Sequence, residues 1–446
     1  VDLLVVNGGH AIAGQQLTGH YAHMEANQLY RNLGTISSDR FGKVTTGPLV
    51  TDMAATYGAA FGDFDNDGCL DVMVTNQGQE NVLYKNDCNG GFTTTEHARD
   101  WVGFVSTAAS WGDYDGDGFL DLFVASAFSD HSSGTRNALY HNEAGSNFLR
   151  ISQGALVAHD DHTHDAAWAD YDGDGLLDIA IANWPMSGAY SQGSVIFRNV
   201  DGSAGGFARI ALTTGFAGSH VSWVDFDGDG WLDLLFANQK RPGLSGAPNL
   251  YRNNMDGSFT MVTTGPLVED SYETERSTAA VWADLDQDGD VDVVLARWDG
   301  IKVYKNDGGI LARGRTYQRV AISQPGMTSL LGSNLLDRTL TMQAIAWGDF
   351  NNDGFVDLYM ARGRLFQSNG LAGGFNEVFD LQNAGVVPSS DTCHGGAAWG
   401  DFDNDGNIDI VLTTGGRQYT CCRSCCPVGC GSGFEPTRLN PEPQPT

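Results

Sequence analysis

The sequence predicts an all-β protein: a seven-bladed β-propeller of four-stranded antiparallel blades, spanning residues 1–414. Three observations carry this prediction. An acidic nine-residue segment occurs seven times, at intervals of 50 to 65 residues, which is the period of a repeat architecture. Each interval holds four short apolar segments between turn residues, and none has a helical period. Blades with two apolar faces need neighbours on both sides, and closing the ring supplies them.

Strand A precedes the acidic segment in each repeat and is rich in alanine. It carries an aromatic residue two positions before the first acid: Phe61, Trp111, Trp168, Trp223, Trp282, Trp347 and Trp399. We interpret this aromatic residue as a wedge between neighbouring blades rather than as a group that stacks on a ligand.

The acidic segment joins strand A to strand B. In Asp63–Asp71 it has aspartates at positions 1, 3, 5 and 9 and a glycine at position 6. Carboxylate oxygens, with the backbone carbonyl of position 7, are the ligands that Ca²⁺ prefers, and Gly68 permits the sharp turn. The sequence therefore predicts one calcium loop per blade and about seven bound ions.

The seven loops offer 28 side-chain ligand positions, of which 27 are Asp and one is Asn351, which is expected to weaken its site slightly. Each loop has five ligand positions, 1, 3, 5, 7 and 9, and position 7 contributes its backbone carbonyl. The sets are Asp63, Asp65, Asp67, Cys69 and Asp71; Asp113, Asp115, Asp117, Phe119 and Asp121; Asp170, Asp172, Asp174, Leu176 and Asp178; Asp225, Asp227, Asp229, Trp231 and Asp233; Asp284, Asp286, Asp288, Asp290 and Asp292; Asp349, Asn351, Asp353, Phe355 and Asp357; and Asp401, Asp403, Asp405, Asn407 and Asp409.

Strands B, C and D follow the loop. Strand B is a continuous apolar run such as Leu120–Val124, which is typical of a strand buried on both faces. Strand C has the form Leu-Tyr-Lys-Asn, as in Leu83–Asn86, and strand D follows a glycine-rich turn, as in Phe259–Val262.

The two ends of the chain hold incomplete repeats. Residues 1–50 supply strands B, C and D without a loop, and the last repeat supplies only A and B, so we expect the two pieces to close one blade together. One strand is then surplus, because Asp2–Val6 and Ile408–Leu412 compete for the same B position. A surplus strand could pair with another molecule by strand addition, which would favour self-assembly.

The charge balance excludes two classes of partner. The chain has 25 Lys+Arg against 55 Asp+Glu, a formal net charge of −30, so it repels nucleic acid and anionic membranes. Its apolar runs are also too short for membrane insertion. Seven divalent ions would change −30 to −16. Since empty loops would repel themselves, we expect calcium binding to be coupled to folding.

Cysteine usage favours disulfides in an oxidising compartment, since the eight cysteines are even in number. Cys69 and Cys88 are expected to pair because each lies just outside the strand pair of its own repeat. The tail, residues 415–446, is rich in cysteine and proline. For its Cys422-x-x-Cys425 segment we favour disulfides over a zinc site. The start at Val1 indicates a processed or trimmed N-terminus.

The one dense histidine cluster, His159–Asp165, precedes a strand A. It would be either a transition-metal or catalytic site or an exposed polar loop, and we favour the loop. The sequence contains no Gly-x-Ser-x-Gly, P-loop or His-Glu-x-x-His motif, and it singles out no acid/base pair.

The segments Phe61–Gly68 and Trp399–Gly406, with their siblings, resemble FG-GAP/VCBS repeats, which form the propeller of integrin α-subunits and occur in many extracellular proteins. The resemblance implies a closed propeller, calcium bound between the first and second strands of each blade, and an extracellular location. Unlike integrins, this chain has the loop in all seven blades. We therefore expect a secreted or cell-surface calcium-binding module with a structural or adhesive role and a protein or glycan partner, and the subunit of a surface or extracellular filament is one form that this role could take. The alternatives are a calcium-dependent polysaccharide lyase or hydrolase, or a lectin.

Overall fold

The structure is a computed structural model of the chain. It describes residues 25–34, 41–76, 79–95, 106–127, 136–158, 162–184, 193–212, 217–238, 246–269, 277–297, 300–306, 317–319, 345–360, 364–370, 375–380 and 394–414. Every structural statement below concerns these residues. The predicted tail, residues 415–446, and its cysteines lie outside them.

Seven antiparallel four-stranded sheets, each in the order A-B-C-D, form the blades. The strands are Thr56–Gly62, Asp71–Asn76, Val82–Asn86 and Phe92–Thr94 in blade 1; Ser106–Gly112, Asp121–Ser126, Ala138–Asn142 and Phe148–Arg150 in blade 2; Thr163–Ala169, Asp178–Asn183, Val195–Asn199 and Phe207–Ala211 in blade 3; Gly218–Val224, Asp233–Asn238, Asn249–Asn253 and Phe259–Met261 in blade 4; Ser277–Ala283, Asp292–Arg297, Gly300–Asn306 and Tyr317–Arg319 in blade 5; Ile345–Gly348, Asp357–Met360, Arg364–Ser368 and Phe375–Asp380 in blade 6; and His394–Gly400, Asp409–Thr414, Gln28–Asn32 and Phe41–Val44 in blade 7.

The ring is closed, because strand A of each blade packs against strand A of the next, blade 7 against blade 1 included. The predicted seven-bladed propeller of four-stranded antiparallel blades is therefore confirmed. Outside the blades, Glu25–Ala26 pairs with Met53–Ala54. Two one-turn α-helices, Pro48–Thr51 and Pro266–Glu269, and the 3₁₀ turn Ala155–Val157 complete the described elements. These helices are shorter than two turns, so the sequence shows no helical period for them.

Blade 7 is built from both ends of the chain, as the incomplete repeats predict. Its strand B, Asp409–Thr414, pairs with the N-terminal strand Gln28–Asn32, with Tyr30 opposite Ile410. The C-terminal segment thus occupies the disputed B position. Asp2–Val6 lies outside the described residues, so self-assembly by strand addition stays a prediction.

The hydrophobic core lies between neighbouring blades rather than within single sheets. One cluster joins Met73 of blade 1 to Leu122 of blade 2, and another joins Tyr359 of blade 6 to Ile410 of blade 7. Strand B of blades 1 to 4 is buried along its whole length, which confirms the interpretation of its apolar run. Each blade is consequently stable only with its neighbours in place.

The strand A tryptophans are wedges between blades, as predicted. The indole of Trp111 in blade 2 lies against Gly62 of blade 1, where a Cβ would be 2.8 Å from the ring. Its Nε1 also donates to the carbonyl oxygen of Ala60, at 3.3 Å. Trp223 bonds Ala167 of the preceding blade in the same way, at 3.0 Å. Where strand A ends in glycine, as at Gly62, the indole occupies the space that a Cβ would need.

The interpretation of the histidine cluster was wrong for its described residues. His162 and His164 are buried, and strand A of blade 3 already begins at Thr163. Asp165 is buried as well, and its Oδ2 lies 2.6 Å from Nδ1 of His220 in blade 4. Asp165 thus joins blade 3 to blade 4, and the His220 ring supplies the partner that a buried carboxylate needs. His162 and His164 lie against each other and against Trp184 of their own blade. His159, Asp160 and Asp161 lie outside the described residues.

Candidate metal centres in the A–B loops

Each A–B loop is held in shape by its own aspartates. In blade 4, Asp225 accepts hydrogen bonds from the backbone N–H groups of Asp229, at 3.0 Å, and Gly230, at 2.8 Å. Asp229 accepts one from the N–H of Trp231, at 3.0 Å. The same three bonds occur in all seven loops. Positions 1 and 5 are therefore oriented toward the inside of the turn.

The aspartate at position 9 begins strand B and is fully buried. In blade 4, Asp233 accepts hydrogen bonds from the N–H of Phe226, at 3.2 Å, and from the N–H of Asn253 in strand C, at 2.8 Å. Both bonds recur in the other six blades. Position 9 thus links the loop to two strands.

Burial dominates the electrostatics of position 9. It raises the pKa of Asp292 to about 6, of Asp71 to about 7 and of Asp409 to about 8, although the backbone N–H donors lower each pKa. The nearby carboxylates at positions 3 and 5 raise these pKa values further. Such a group lacks a compensating positive charge, which a bound cation would provide.

The side chain at position 3 supports a metal ion most directly. Its buried Oδ1 has no hydrogen-bond partner among the described residues in five loops, at Asp65, Asp172, Asp227, Asp286 and Asp403. Oxygens of positions 1, 3 and 9 lie within 4.8 Å of one another in blades 1 and 3. Oxygens around one Ca²⁺, each 2.3–2.6 Å from the ion, have about this separation. The residues therefore fit a hard divalent cation.

The structure also brings a strand C side chain to each loop, and sequence reasoning missed it. In blade 4, Arg252 places Nε 2.7 Å from Asp227 and Nη2 3.2 Å from Asp229. The equivalent residue contacts position 3, position 5 or both in the other blades: Arg31, Lys85, His141, Arg198, Lys305 and Gln367. The signal was present, because a basic residue precedes the last asparagine of most strand C segments.

That asparagine connects six of the seven loops to the following blade. The Nδ2 group of Asn253 donates to the carbonyl oxygen of Tyr171 in blade 3, at 2.8 Å, and to that of Leu232 in its own blade, at 3.0 Å. Five other blades use the equivalent asparagine in the same way between blades. Blade 6 has Ser368 at this place. Position 2 of a loop is therefore held by the following blade.

Neighbouring loops also contact each other through position 4. Asn66 donates to the carbonyl oxygen of Gly118 in the next loop, at 2.9 Å. Gln287, Asn352 and Asn404 make the same contact with the position 6 glycine that follows. Position 4 has a positive φ in every loop, and the other three loops have glycine there. Four of the seven loops are thus linked to the next by a side-chain amide.

Blade 1 has one covalent tie in addition. Cys69 at position 7 forms a disulfide with Cys88, just after strand C, with a Cα–Cα distance of 5.5 Å. The predicted pairing is confirmed. It fastens the loop to the C–D turn of its own blade.

Fold and site together define a class: a closed seven-bladed β-propeller whose A–B turns are acidic, preorganised loops. The FG-GAP-like repeat model matches residues 63–124, 113–181, 237–295 and 284–360, which is more than half of the chain. The protein belongs to the FG-GAP-like repeat family. No described helix has the length and apolar character needed to cross a membrane.

Curated relatives match part of the chain. Cartilage acidic protein 1 of Xenopus tropicalis is 22% identical over 237 residues, 50% of this chain and 32% of that protein. The human protein is 23% identical over 271 residues, covering 56% and 37%. The mouse protein is 30% identical over 189 residues, covering 39% and 27%. The match therefore spans about a third of the length of these relatives.

Solved structures resemble the chain weakly. The BBS1N chain in its complex with ARL6DN has a TM-score of 0.44 at 10% identity, covering 87% of this chain and 97% of that chain. YCF48 bound to D1 peptide also has a TM-score of 0.44 at 10% identity, covering 81% and 92%.

Proposed function

We propose that the protein is an extracellular binding module whose seven A–B loops each hold one Ca²⁺ ion, so that the ions keep the loop face rigid for a protein or glycan partner. The main support for bound calcium is the buried carboxylate oxygen of position 3, which has no hydrogen-bond partner among the described residues in five loops. A buried carboxylate oxygen is costly without a partner, and a bound cation would satisfy it.

The charge of the whole chain supports the same proposal. Of 55 acidic residues, 27 occupy loop ligand positions, and the formal net charge is −30. A propeller with these carboxylates packed on one face would be destabilised by their repulsion. Seven Ca²⁺ ions would reduce the charge to −16 and would link folding to the metal.

The extracellular location and the binding role rest on the family and on redox chemistry. The Cys69–Cys88 disulfide is typical of oxidising compartments. The name of the matched relatives associates them with cartilage and with acidic character, and this chain is acidic as well. Bound calcium would neutralise enough of the negative charge on the loop face for a partner to approach it. A role as a filament subunit would need the N-terminal segment outside the described residues.

The direct test is to count bound calcium. Purified chain is dialysed against buffers of defined free Ca²⁺, and the ions per chain are measured by elemental analysis. We expect about seven ions at saturation, with a marked rise in the melting temperature over protein in EDTA. A chain that binds no calcium and melts at the same temperature in EDTA would overturn the proposal.

A single-loop variant gives the matched comparison. Asp113→Ala removes position 1 of the blade 2 loop and should bind one ion fewer than the parent. Asp201→Ala changes an exposed aspartate in a C–D turn outside the loops and should bind the same number as the parent. Equal counts for Asp113→Ala and the parent would exclude that loop as a site. A partner is then sought by binding assays with calcium-loaded protein against immobilised matrix proteins and glycans.

A further inference from the structure

The strand C side chains that reach the loops show a pattern of charge matching. In blades 1, 3, 4 and 7 the loop has four aspartates, and the strand C residue is Lys85, Arg198, Arg252 or Arg31. Four negative charges and one positive charge give a formal sum of −3. Each cation contacts the position 3 carboxylate, and in blades 1, 3 and 4 it also contacts position 5.

Blade 6 differs from this pattern in both residues of the contact, the position 3 side chain and the strand C side chain. Its position 3 is Asn351, and its strand C residue is Gln367. Gln367 Nε2 donates to Asp353 at position 5, at 3.2 Å. Three aspartates without a cation again give −3. The loss of the position 3 charge coincides with the loss of the strand C charge.

Two other blades vary the same theme. Blade 5 has Lys305 on positions 3 and 5 but carries a fifth acid, Asp290, at position 7. Blade 2 has His141, whose Nδ1 lies 3.1 Å from Asp115. A side chain with a donor thus faces the acidic loop in all seven blades.

We propose that the strand C side chain is an internal counter-ion, matched to position 3, that stabilises the empty loop and sets how tightly the loop binds Ca²⁺. This deepens the calcium proposal and rests on it. The ion pair is well placed for this, since the side chain of Asp227 is only 7% exposed and is less screened by solvent than a surface pair. A second cation close to a bound Ca²⁺ repels it, so the counter-ion lowers affinity. Because the counter-ions offset part of the repulsion, a loop can contain four aspartates and remain folded without metal.

The test uses charge exchange in two blades. Arg252→Gln removes the counter-ion of blade 4. In blade 6, Asn351→Asp adds the missing acid, Gln367→Lys adds the counter-ion alone, and the double variant Asn351→Asp/Gln367→Lys carries both changes, which completes a double-mutant cycle. Arg150→Gln is the matched control, because Arg150 is an exposed arginine of an outer strand. Melting temperatures are measured in EDTA, and ions per chain are measured against free Ca²⁺.

Arg252→Gln and Asn351→Asp should each lower the melting temperature in EDTA, and each should shift one of the seven ions to a free Ca²⁺ concentration at least tenfold lower. The double variant should return both quantities toward the parent. Arg150→Gln should leave the free Ca²⁺ dependence of all seven ions unchanged. In EDTA, the melting temperature change of the blade 6 double variant should differ from the sum of the two single changes. This comparison tests the counter-ion without calcium.

Two outcomes separate the two proposals. If the parent binds no calcium but the blade 6 pair is non-additive in EDTA, the counter-ion stands and the calcium proposal fails. If the parent binds about seven ions while Arg252→Gln leaves the binding curve unchanged, or the blade 6 changes are additive in EDTA, the counter-ion proposal is overturned.

Discussion

The metal-free propeller should lose stability as the pH rises from about 5 to 7.5, which is opposite to the usual behaviour of aspartates. Burial raises the pKa of the position 9 carboxyls to between about 6 and about 8. In the unfolded chain these groups have their ordinary pKa of about 3.9. Between these values the folded state binds more protons than the unfolded state, so stability is full below the unfolded pKa and falls until the pH exceeds the folded pKa.

The size of the effect follows from the number of such groups. One carboxyl with a folded pKa of about 7 changes the free energy of unfolding by ~1.4 kcal/mol per pH unit inside this window. Seven independent groups would give ~10 kcal/mol per pH unit, as much as the whole stability of an ordinary domain. Even a quarter of that, over 2.5 pH units, amounts to ~6 kcal/mol. We therefore expect the melting temperature in EDTA to fall by about 10 °C or more.

The assay is thermal melting by circular dichroism at pH 5 and pH 7.5, in EDTA and in millimolar Ca²⁺. Calcium should reverse the sign, because the ion binds only deprotonated ligands and so stabilises more at pH 7.5. Two exposed aspartates, Asp201 and Asp256, do not interfere, since hydrogen bonds from Ser203 and Ser258 lower their pKa values out of this window. A melting temperature in EDTA that rises from pH 5 to 7.5 would refute the reasoning.

Three substitutions test the contacts between loops and blades. Gly62→Ala places a Cβ 2.8 Å from the ring of Trp111 and should cost about 1–3 kcal/mol in urea unfolding, and an unchanged midpoint would show that the wedge can shift. Asn142→Ala removes a buried amide that bonds two carbonyls, at 2.7 and 3.0 Å, and should cost about 1–3 kcal/mol, with calcium present or absent. Cys88→Ser opens a disulfide of sequence separation 19 and should cost about 3 kcal/mol relative to the oxidised parent, whereas the reduced parent should unfold at the same midpoint as the variant.

The loops were predictable because their information is local. Nine consecutive residues contain the ligands, the turn glycine and the start of strand B, so the pattern of Asp63–Asp71 is sufficient to propose a site. The period then predicts the number of blades. The counter-ion was not found in this way, since Lys85 lies about 20 residues after its partner Asp65. Lys85 reaches the loop only because strand C pairs with strand B in the register that places Tyr84 opposite Val72.

The histidine cluster shows the opposite failure. Polar residues just before a predicted strand usually indicate an exposed loop, and the sequence offers no sign that Asp165 is buried. Its partner His220 lies in the next blade, and His220 Nε2 contacts the carbonyl oxygen of Ala280 in the blade after that, at 2.9 Å. Strand A positions face neighbours that are one repeat away in sequence. Their burial is therefore decided by the ring and not by the segment.

The distribution of loop-to-loop contacts bears on how the ring stays closed. Blade 7 combines strands from the two ends of the chain, so among the described residues no loop joins its strand B to its strand C. The position 4 amides run without interruption from blade 5 through blades 6, 7 and 1 to blade 2, and they include Asn404 of blade 7 on Gly68 of blade 1. Blades 2, 3 and 4, which are continuous in sequence, have glycine at position 4 instead.

Two contacts that most other blades also have occur at this seam, where they join the two ends of the chain. Asn32 from the N-terminal strand donates to the carbonyl oxygen of Phe350 in blade 6, at 2.7 Å, and Arg31 pairs with Asp403 of the C-terminal loop, at 2.6 Å. The loop of blade 7 therefore receives its counter-ion from the other end of the chain. All five ligand positions of that loop, Asp401 to Asp409, lie in the C-terminal segment, to which the N-terminal strand adds Arg31 beside Asp403 and the N–H of Asn32 on Asp409, at 2.5 Å. Under the counter-ion proposal, closing the ring brings this positive charge to the loop, so closure should stabilise the metal-free loop and lower its affinity for Ca²⁺.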